Sequence, residues 1–169
     1  MTAPSAISVG LISDTHGLLR PQALGALAGS DRIVHAGDIG DPEVLRRLGA
    51  IAPVTAVRGN NDRAPWAAPL RDVEVLELGA TLIYIVHDIA ELDIDPAAAG
   101  FHAVVSGHSH RPGIETRDGV LYVNPGSAGP RRFRLPVSLA RLTVRGTNLE
   151  AQLVELDLAA DVGVGARGR

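Results

Sequence analysis

Residues 7–16 read ISVGLISDTH: an apolar run from Ile7 to Ser13 and then, at once, an acid and an imidazole, Asp14 and His16. The pattern recurs. RIVHA (32–36) runs into Gly37-Asp38, and VTAV (54–57) delivers Gly59-Asn60-Asn61-Asp62. Farther on, TLIYIV (81–86) ends at His87, and AVVS (103–106) ends at Gly107-His108-Ser109-His110. Continuous apolar runs of this length read as buried strands. Five polar islands at strand ends can therefore converge on one edge of a sheet assembly.

The intervening residues set the architecture. Pro21 to Leu27 reads as a short helix ended by Gly29 and Ser30. Asp41-Pro42-Glu43 opens a second: a capping acid, proline at the first helical position, and an acid at the positive dipole end. Val44, Leu45 and Leu48 share its apolar face, and Gly49 stops it. Strand, turn and helix thus alternate in the first third, which favours parallel β-α-β pairing. After Trp66 the pattern changes to hairpins. Val73 to Leu78 and Thr81 to Val86 flank Gly79-Ala80, and Ile114 to Arg117 and Val120 to Val123 flank Asp118-Gly119. Ser138 to Val144 and Leu149 to Leu156 flank Gly146-Thr147-Asn148, and Asp95-Pro96 predicts one more short helix. The sum is an α/β fold, a mixed sheet pair flanked by helices. Residues 1–160 form one expected domain, followed by a loose Gly- and Arg-rich tail at 161–169.

Composition narrows the chemistry. At 169 residues the chain can bury roughly 70% of its unfolded surface. A net charge of −3 argues against binding a nucleic-acid backbone, which needs clustered cations. There is no cysteine, so thiolate metal sites and thiol nucleophiles are excluded. There is no lysine either, which removes P-loop and Schiff-base chemistry. No apolar run reaches the ~18 residues of a membrane span. Met1 to Ser5 lacks the look of a signal peptide, so the expected location is cytoplasmic.

Carboxylate, imidazole and amide donors together suit two adjacent divalent cations, and so metal-assisted hydrolysis of a phosphate ester. Asp38 is the natural carboxylate to bridge them. Asp14 and His16 can turn toward one ion; His108 and His110 either share a face or reach different ions. Asn60 adds a neutral oxygen and His87 an imidazole. Mixed oxygen and nitrogen donors favour Mn²⁺, Fe, Zn²⁺, Co²⁺ or Ni²⁺ over Ca²⁺ or Mg²⁺.

In order and spacing, Asp14-x-His16, Gly37-Asp38, Gly59-Asn60-x-Asp62, His87 and Gly107-His108-x-His110 resemble the motifs of calcineurin-like metallophosphoesterases. The short length and Val123-Asn124-Pro125-Gly126-Ser127 resemble the small YfcE-type phosphodiesterase branch. The resemblance implies a four-layer αββα sandwich of two mixed sheets. It also implies one ion held by Asp14, His16, Asp38 and His110, and another held by Asp38, Asn60, His87 and His108. Manganese is the foremost candidate metal, and Asp62 would orient its neighbours. The expected function is phosphodiester hydrolysis of a small-molecule or nucleotide substrate by a metal-activated hydroxide, with Asp38, Asn60, Asn61, Asp62 and His108 as the catalytic set.

Two departures from the family's pattern stand out. Asn61 replaces the histidine that in many members protonates the leaving group, which predicts a preference for diesters with good leaving groups. Asp88 stands where the family usually has glycine, a carboxylate that either tightens metal binding or repels anionic substrate. Two competing functions remain: a phosphomonoesterase or nucleotidase on the same site, and a non-catalytic interaction scaffold resembling a retromer subunit. Edge strands leave room for a homodimer or higher oligomer.

Other residues read as structural. His35, inside a strand, should point away from Asp38, and His102 should be a surface histidine. Ser109 is a spacer, because Arg111 breaks a serine-elbow pattern. Arg131, Arg132 and Arg134 read as a solvated basic turn rather than a phosphate clamp, and Trp66 as packing. Asn124 and Ser127 either touch substrate or shape a turn.

Overall fold

A computed structural model describes residues 2–159. Ten strands build two five-stranded sheets. The first contains β1 (Ile7–Ile12), β2 (Arg32–His35), β3 (Val54–Ala56), β9 (Ser138–Arg145) and β10 (Asn148–Glu155), in the spatial order β10-β9-β1-β2-β3. The second contains β4 (Val73–Leu78), β5 (Thr81–Val86), β6 (Ala103–Val105), β7 (Gly113–Arg117) and β8 (Val120–Asn124), in the order β4-β5-β6-β8-β7. Both sheets are mixed. Strands β1, β2 and β3 are parallel, as are β5, β6 and β8, while hairpin partners run antiparallel at the margins.

Alternating side chains sort the residues into layers. Val9 and Leu11 of β1 point between the sheets, where they join Val34, Ile83, Ile85, Val105 and Leu142 in the central core. Ile12 and Ile33 face the other way, onto helices α1 (Pro21–Leu27) and α2 (Pro42–Gly49), whose Ala23, Leu27, Val44 and Leu48 complete a second core. Helix α2 begins as its sequence dictates: Asp41 Oδ1 accepts from Glu43 N at 2.8 Å, and Pro42 occupies the first helical turn. Trp66 packs against this same core.

The fourth layer is thin. Over the outer face of the second sheet lie a 3₁₀ turn (Ile89–Glu91) and a loop whose Phe101 meets Tyr84 edge-on, with ring centroids 5.2 Å apart. The helix expected after Asp95-Pro96 is a single turn instead. Asp95 Oδ1 accepts from Ala98 N at 3.2 Å and its carbonyl from Ala99 N at 3.0 Å, but Gly100, at φ +84°, ends the segment. One turn does not repay the cost of helix nucleation, so nothing propagates. Alternation in β10 is likewise incomplete: Leu149 and Ala151 face the central core, whereas Leu153 is exposed. The tail expected at 161–169 lies outside the described residues. No helix among the described residues is long and apolar enough to cross a membrane.

The topology places the site. The carboxyl ends of the parallel strands in both sheets lie at one end of the sandwich, where ligands of open α/β sheets characteristically bind.

Candidate metal centre

All nine residues expected at the site come together there. Backbone pairing sets the loops: Asp14 N donates to Gly37 O at 3.0 Å and His16 N to Asp38 O at 2.9 Å, which carries the β1–β2 pairing past the strand ends. Gly107 N donates to His87 O at 2.9 Å, doing the same for the β5 and β6 loops. Such close packing explains the glycines beside the ligand-type residues. A Cβ on Gly59 would collide with Asp38 N and Oδ1, and one on Gly107 with Ser13 Oγ and Asp14 Oδ2. Five of the site residues adopt left-handed backbone: Asp14, His16, Asp38, His108 and His110, with φ between 46° and 67°. That conformation costs energy in a non-glycine residue, and such outliers cluster at functional sites.

The carboxylates are aimed. Asp14 is fully buried; its Oδ2 accepts from Ser13 Oγ at 2.6 Å and from His108 N at 3.0 Å. Its Oδ1 accepts no well-formed hydrogen bond among the described residues, yet lies 3.3 Å from His110 Nε2 and 3.9 Å from His16 Nε2. Those two imidazole nitrogens are themselves 3.4 Å apart. Asp38 Oδ1 accepts from Asn61 N and its Oδ2 from Asn61 Nδ2, each at 2.9 Å. Asp38 Oδ2 also lies 3.9 Å from His16 Nε2 and 3.4 Å from His87 Nε2. Beyond it, Asn60 Oδ1 lies 3.0 Å from His87 Nε2 and 3.2 Å from His108 Nδ1.

Most of these spacings fit metal ions, His16 standing farther off at 3.9 Å from each carboxylate. Donors ~2.1 Å from a common ion sit roughly 3.0–3.4 Å from one another in tetrahedral or octahedral geometry. Two sets of His and Asp atoms cluster within 4.8 Å: Asp14, His16 and His110, and Asp14, Asp38 and His87. His87 Nδ1 donates to Ala36 O at 2.7 Å, which fixes the proton there and turns Nε2 toward the cluster. A buried carboxylate oxygen facing two imidazole nitrogens is a donor set suited to a divalent transition ion.

Burial and mutual contacts set the charges of the cluster. Burial works to raise the Asp38 carboxyl, but hydrogen bonds from His87 and Asn61 outweigh it and hold the group well below the usual carboxylate range. Asp14 is likewise lowered: burial opposes, and His110 and Ser13 prevail. Burial lowers His16, against the pull of Asp38 and Asp14. For His87 burial also lowers, but Asp38 and the Ala36 carbonyl raise it further.

The remaining residues form the support. Asp62, buried, accepts three backbone N–H groups: Gly59 at 2.9 Å, Gly40 at 3.0 Å and Ile39 at 3.1 Å. It therefore locks the β2 loop to the β3 loop. Asn61, expected near the leaving group, has its amide engaged with Asp38. His35 is fully buried, accepts from Gly37 N at 3.2 Å through Nδ1, and lies 3.0 Å from Thr15 Oγ1 through Nε2. Its hydrogen-bond partners are thus Gly37 and Thr15 rather than Asp38. His102 is half-buried, and its Nδ1 accepts from Leu82 N at 3.1 Å, so its role is to join strands.

Asn124 and Ser127 shape the loops. Asn124 Nδ2 donates to Gly107 O at 3.0 Å and to Ser109 Oγ at 3.1 Å, and Ser127 Oγ donates to Asp14 O at 2.9 Å. Arg131, Arg132 and Arg134 are exposed. Ser13 is the one site residue that sequence reasoning misses; its only signal is a small hydroxyl directly before Asp14.

Beside the cluster opens a cavity of about 570 Å³, lined by Arg58, Asn60, Arg63, Asp88, Glu91 and His108 among others. Carboxylates and imidazoles gathered at the ends of two stacked mixed sheets define the class: a metallohydrolase-type centre on an αββα sandwich. The particular family follows from comparison. Residues 7–147 match the calcineurin-like phosphoesterase superfamily domain, and the chain belongs to that superfamily. A probable metallophosphoesterase of Methanocaldococcus jannaschii is 34% identical over 163 residues, covering 88% of this chain and 81% of that one. The structure of an archaeal phosphodiesterase shares the fold with a TM-score of 0.73 at 21% identity, over 88% of this chain and all of that one. Vps29 of Chaetomium thermophilum shares it too, with a TM-score of 0.72 at 19% identity, over 89% of this chain and all of that one.

Proposed function

We propose that the chain is a metal-dependent phosphodiesterase acting on a small-molecule or nucleotide diester. One observation carries this reading: Asp38 Oδ2 lies within 4 Å of a nitrogen from each group of donor atoms, 3.9 Å from His16 Nε2 and 3.4 Å from His87 Nε2. In this reading Asp14, His16, Asp38 and His110 hold one ion, and Asp38, Asn60, His87 and His108 hold the other. When bound, two such ions supply an acidified water as nucleophile and neutralise the charge that builds on the phosphoryl oxygens. Manganese fits the donor set, and nickel, zinc, iron and cobalt are compatible with it.

The chain's own residues do the positioning. Asn61 holds the Asp38 carboxylate by two hydrogen bonds, so the shared oxygen does not rotate out of line. Asp62 fixes the loops that carry Asp38 and Asn60. Asn61 is engaged in this way and is not an acid at neutral pH, so no proton donor stands at that position for a poor leaving group. This supports diesters with acidic leaving groups over alkyl monoesters. A scaffold function like that expected from a retromer-type chain has less support, since the donor set is complete and aimed.

The test is elemental analysis of the purified chain, with bis(p-nitrophenyl) phosphate and p-nitrophenyl phosphate hydrolysis measured before and after adding Mn²⁺. About two ions per chain, with metal-dependent turnover that favours the diester, is the expected result. A monoester preference would transfer the site to phosphomonoesterase chemistry. No bound metal and no turnover with Mn²⁺, Ni²⁺ or Zn²⁺ would leave the scaffold reading in its place.

A further inference from the structure

We propose that Asp88 is a positioning residue for His108, holding its imidazole in the tautomer that turns Nδ1 toward the ions; this rests on the metal-centre reading above. The two nitrogens of His108 face different surroundings. Nδ1 looks inward, 3.2 Å from Asn60 Oδ1 and 3.3 Å from His87 Nε2. Nε2 looks outward and lies 3.6 Å from Asp88 Oδ2. A neutral imidazole has one N–H and one lone-pair nitrogen. A carboxylate opposite Nε2 keeps the proton there and leaves Nδ1 as the donor, the arrangement found around metal-bound histidines generally.

His108 needs such a device more than its neighbours do. Its side chain is 44% exposed, against 5% for His87 and 3% for His110. The ring of His87 is fixed by the Ala36 carbonyl, and that of His110 by burial. Among the described residues, the Asp88 carboxylate is the polar neighbour of the outer nitrogen of His108. Asp88 is itself held: its Oδ1 accepts from Ala90 N at 3.0 Å, which leaves Oδ2 on the His108 side. The backbone of His108 is anchored separately, through its N–H to Asp14. Ring orientation is therefore the one freedom that Asp88 controls.

The hydrogen bond to Ala90 also suggests a plainer role, capping the 3₁₀ turn (Ile89–Glu91). Variants separate the two roles. Asp88→Ser and Asp88→Asn both retain a side-chain oxygen able to cap. Serine lacks the carboxylate. Asparagine presents an N–H to Nε2, which would favour the tautomer with its proton on Nδ1, the wrong nitrogen.

The experiment titrates the metal-free full chain and both variants with Mn²⁺ by calorimetry. In parallel, ¹⁵N imidazole NMR of the metal-free proteins reads the His108 tautomer directly. Expected is a loss of roughly 10- to 100-fold in affinity for one of the two ions in Asp88→Asn, and a smaller loss in Asp88→Ser. The second ion should bind as in the unaltered chain, with the Nε2–H tautomer of His108 depleted in Asp88→Asn. Unchanged affinity for both ions in both variants, or an unchanged tautomer in Asp88→Asn, overturns the assignment. If the unaltered chain binds two ions and the variants match it, this inference alone fails. If the unaltered chain binds none, the metal-centre reading fails with it.

Discussion

The two halves of the donor cluster are built differently. Asp14, His16 and His110 form a closed half, with Asp14 and His110 buried; one Asp14 oxygen accepts from Ser13 and His108, and the other, without a well-formed hydrogen bond, faces the imidazoles. Asn60, His87 and His108 form an open half, where Asn60 and His108 are exposed and the cavity begins. Burial shields Asp14 and His110 from solvent. On the proposed reading, the exposed second half is where an anionic substrate would arrive from the cavity. Asp38, within 4 Å of His16 in one half and of His87 in the other, is the joint between the parts.

Removing that joint should have the largest effect. Asp38→Ala takes the shared oxygen from both halves, so turnover of an aryl diester should fall on the order of a thousandfold or more, with bound metal dropping in the same preparation. Near-native hydrolysis by the pure variant would mean that the halves work independently.

The next test concerns the frame. Asp62→Ala leaves three backbone N–H groups without their acceptor, two from the β2 loop and one from the β3 loop. A loss of about 2–4 kcal/mol is expected, read as a lowered midpoint in urea. An unchanged midpoint would show that the loops hold together without it.

The smallest effect comes from below the closed half, at His35. Burial pushes its imidazole down to about 4 in the folded chain, against 6.5 when unfolded. The unfolded chain thus takes up a proton first as the pH drops. The stability is intact above pH 6.5 and is lost progressively toward pH 4, by up to about 3 kcal/mol. In His35→Gln this part of the acid sensitivity should vanish from urea midpoints measured between pH 7 and pH 4.5. The same slope in the variant would place the sensitivity elsewhere.

Much of this design can be read in the sequence because each strand announces itself. A run such as TLIYIV is buried along nearly its whole length and ends at its functional residue, so motif order and strand order coincide. What the sequence hides are contacts between distant residues. Asp88 stands out as unusual, but nothing nearby says that its partner is His108, twenty positions on. Asn61 reads as a free donor because its neighbour in space, Asp38, belongs to another loop. Asp95-Pro96 looks like a helix start, and only the early arrival of Gly100 undoes it. Asn124 and Ser127 read equally well as substrate contacts or turn residues; the loops they tie become visible once the sheets are stacked.

The left-handed backbone at Asp14 and Asp38 bears on how such a chain can drift. Asparagine adopts that conformation as readily as aspartate does, while branched residues resist it. An acid-to-amide exchange at either position removes a charge at little conformational cost. On the proposed reading, a lineage can therefore lose its chemistry by single steps that this backbone accepts, so the silhouette of the sandwich outlasts its reactivity.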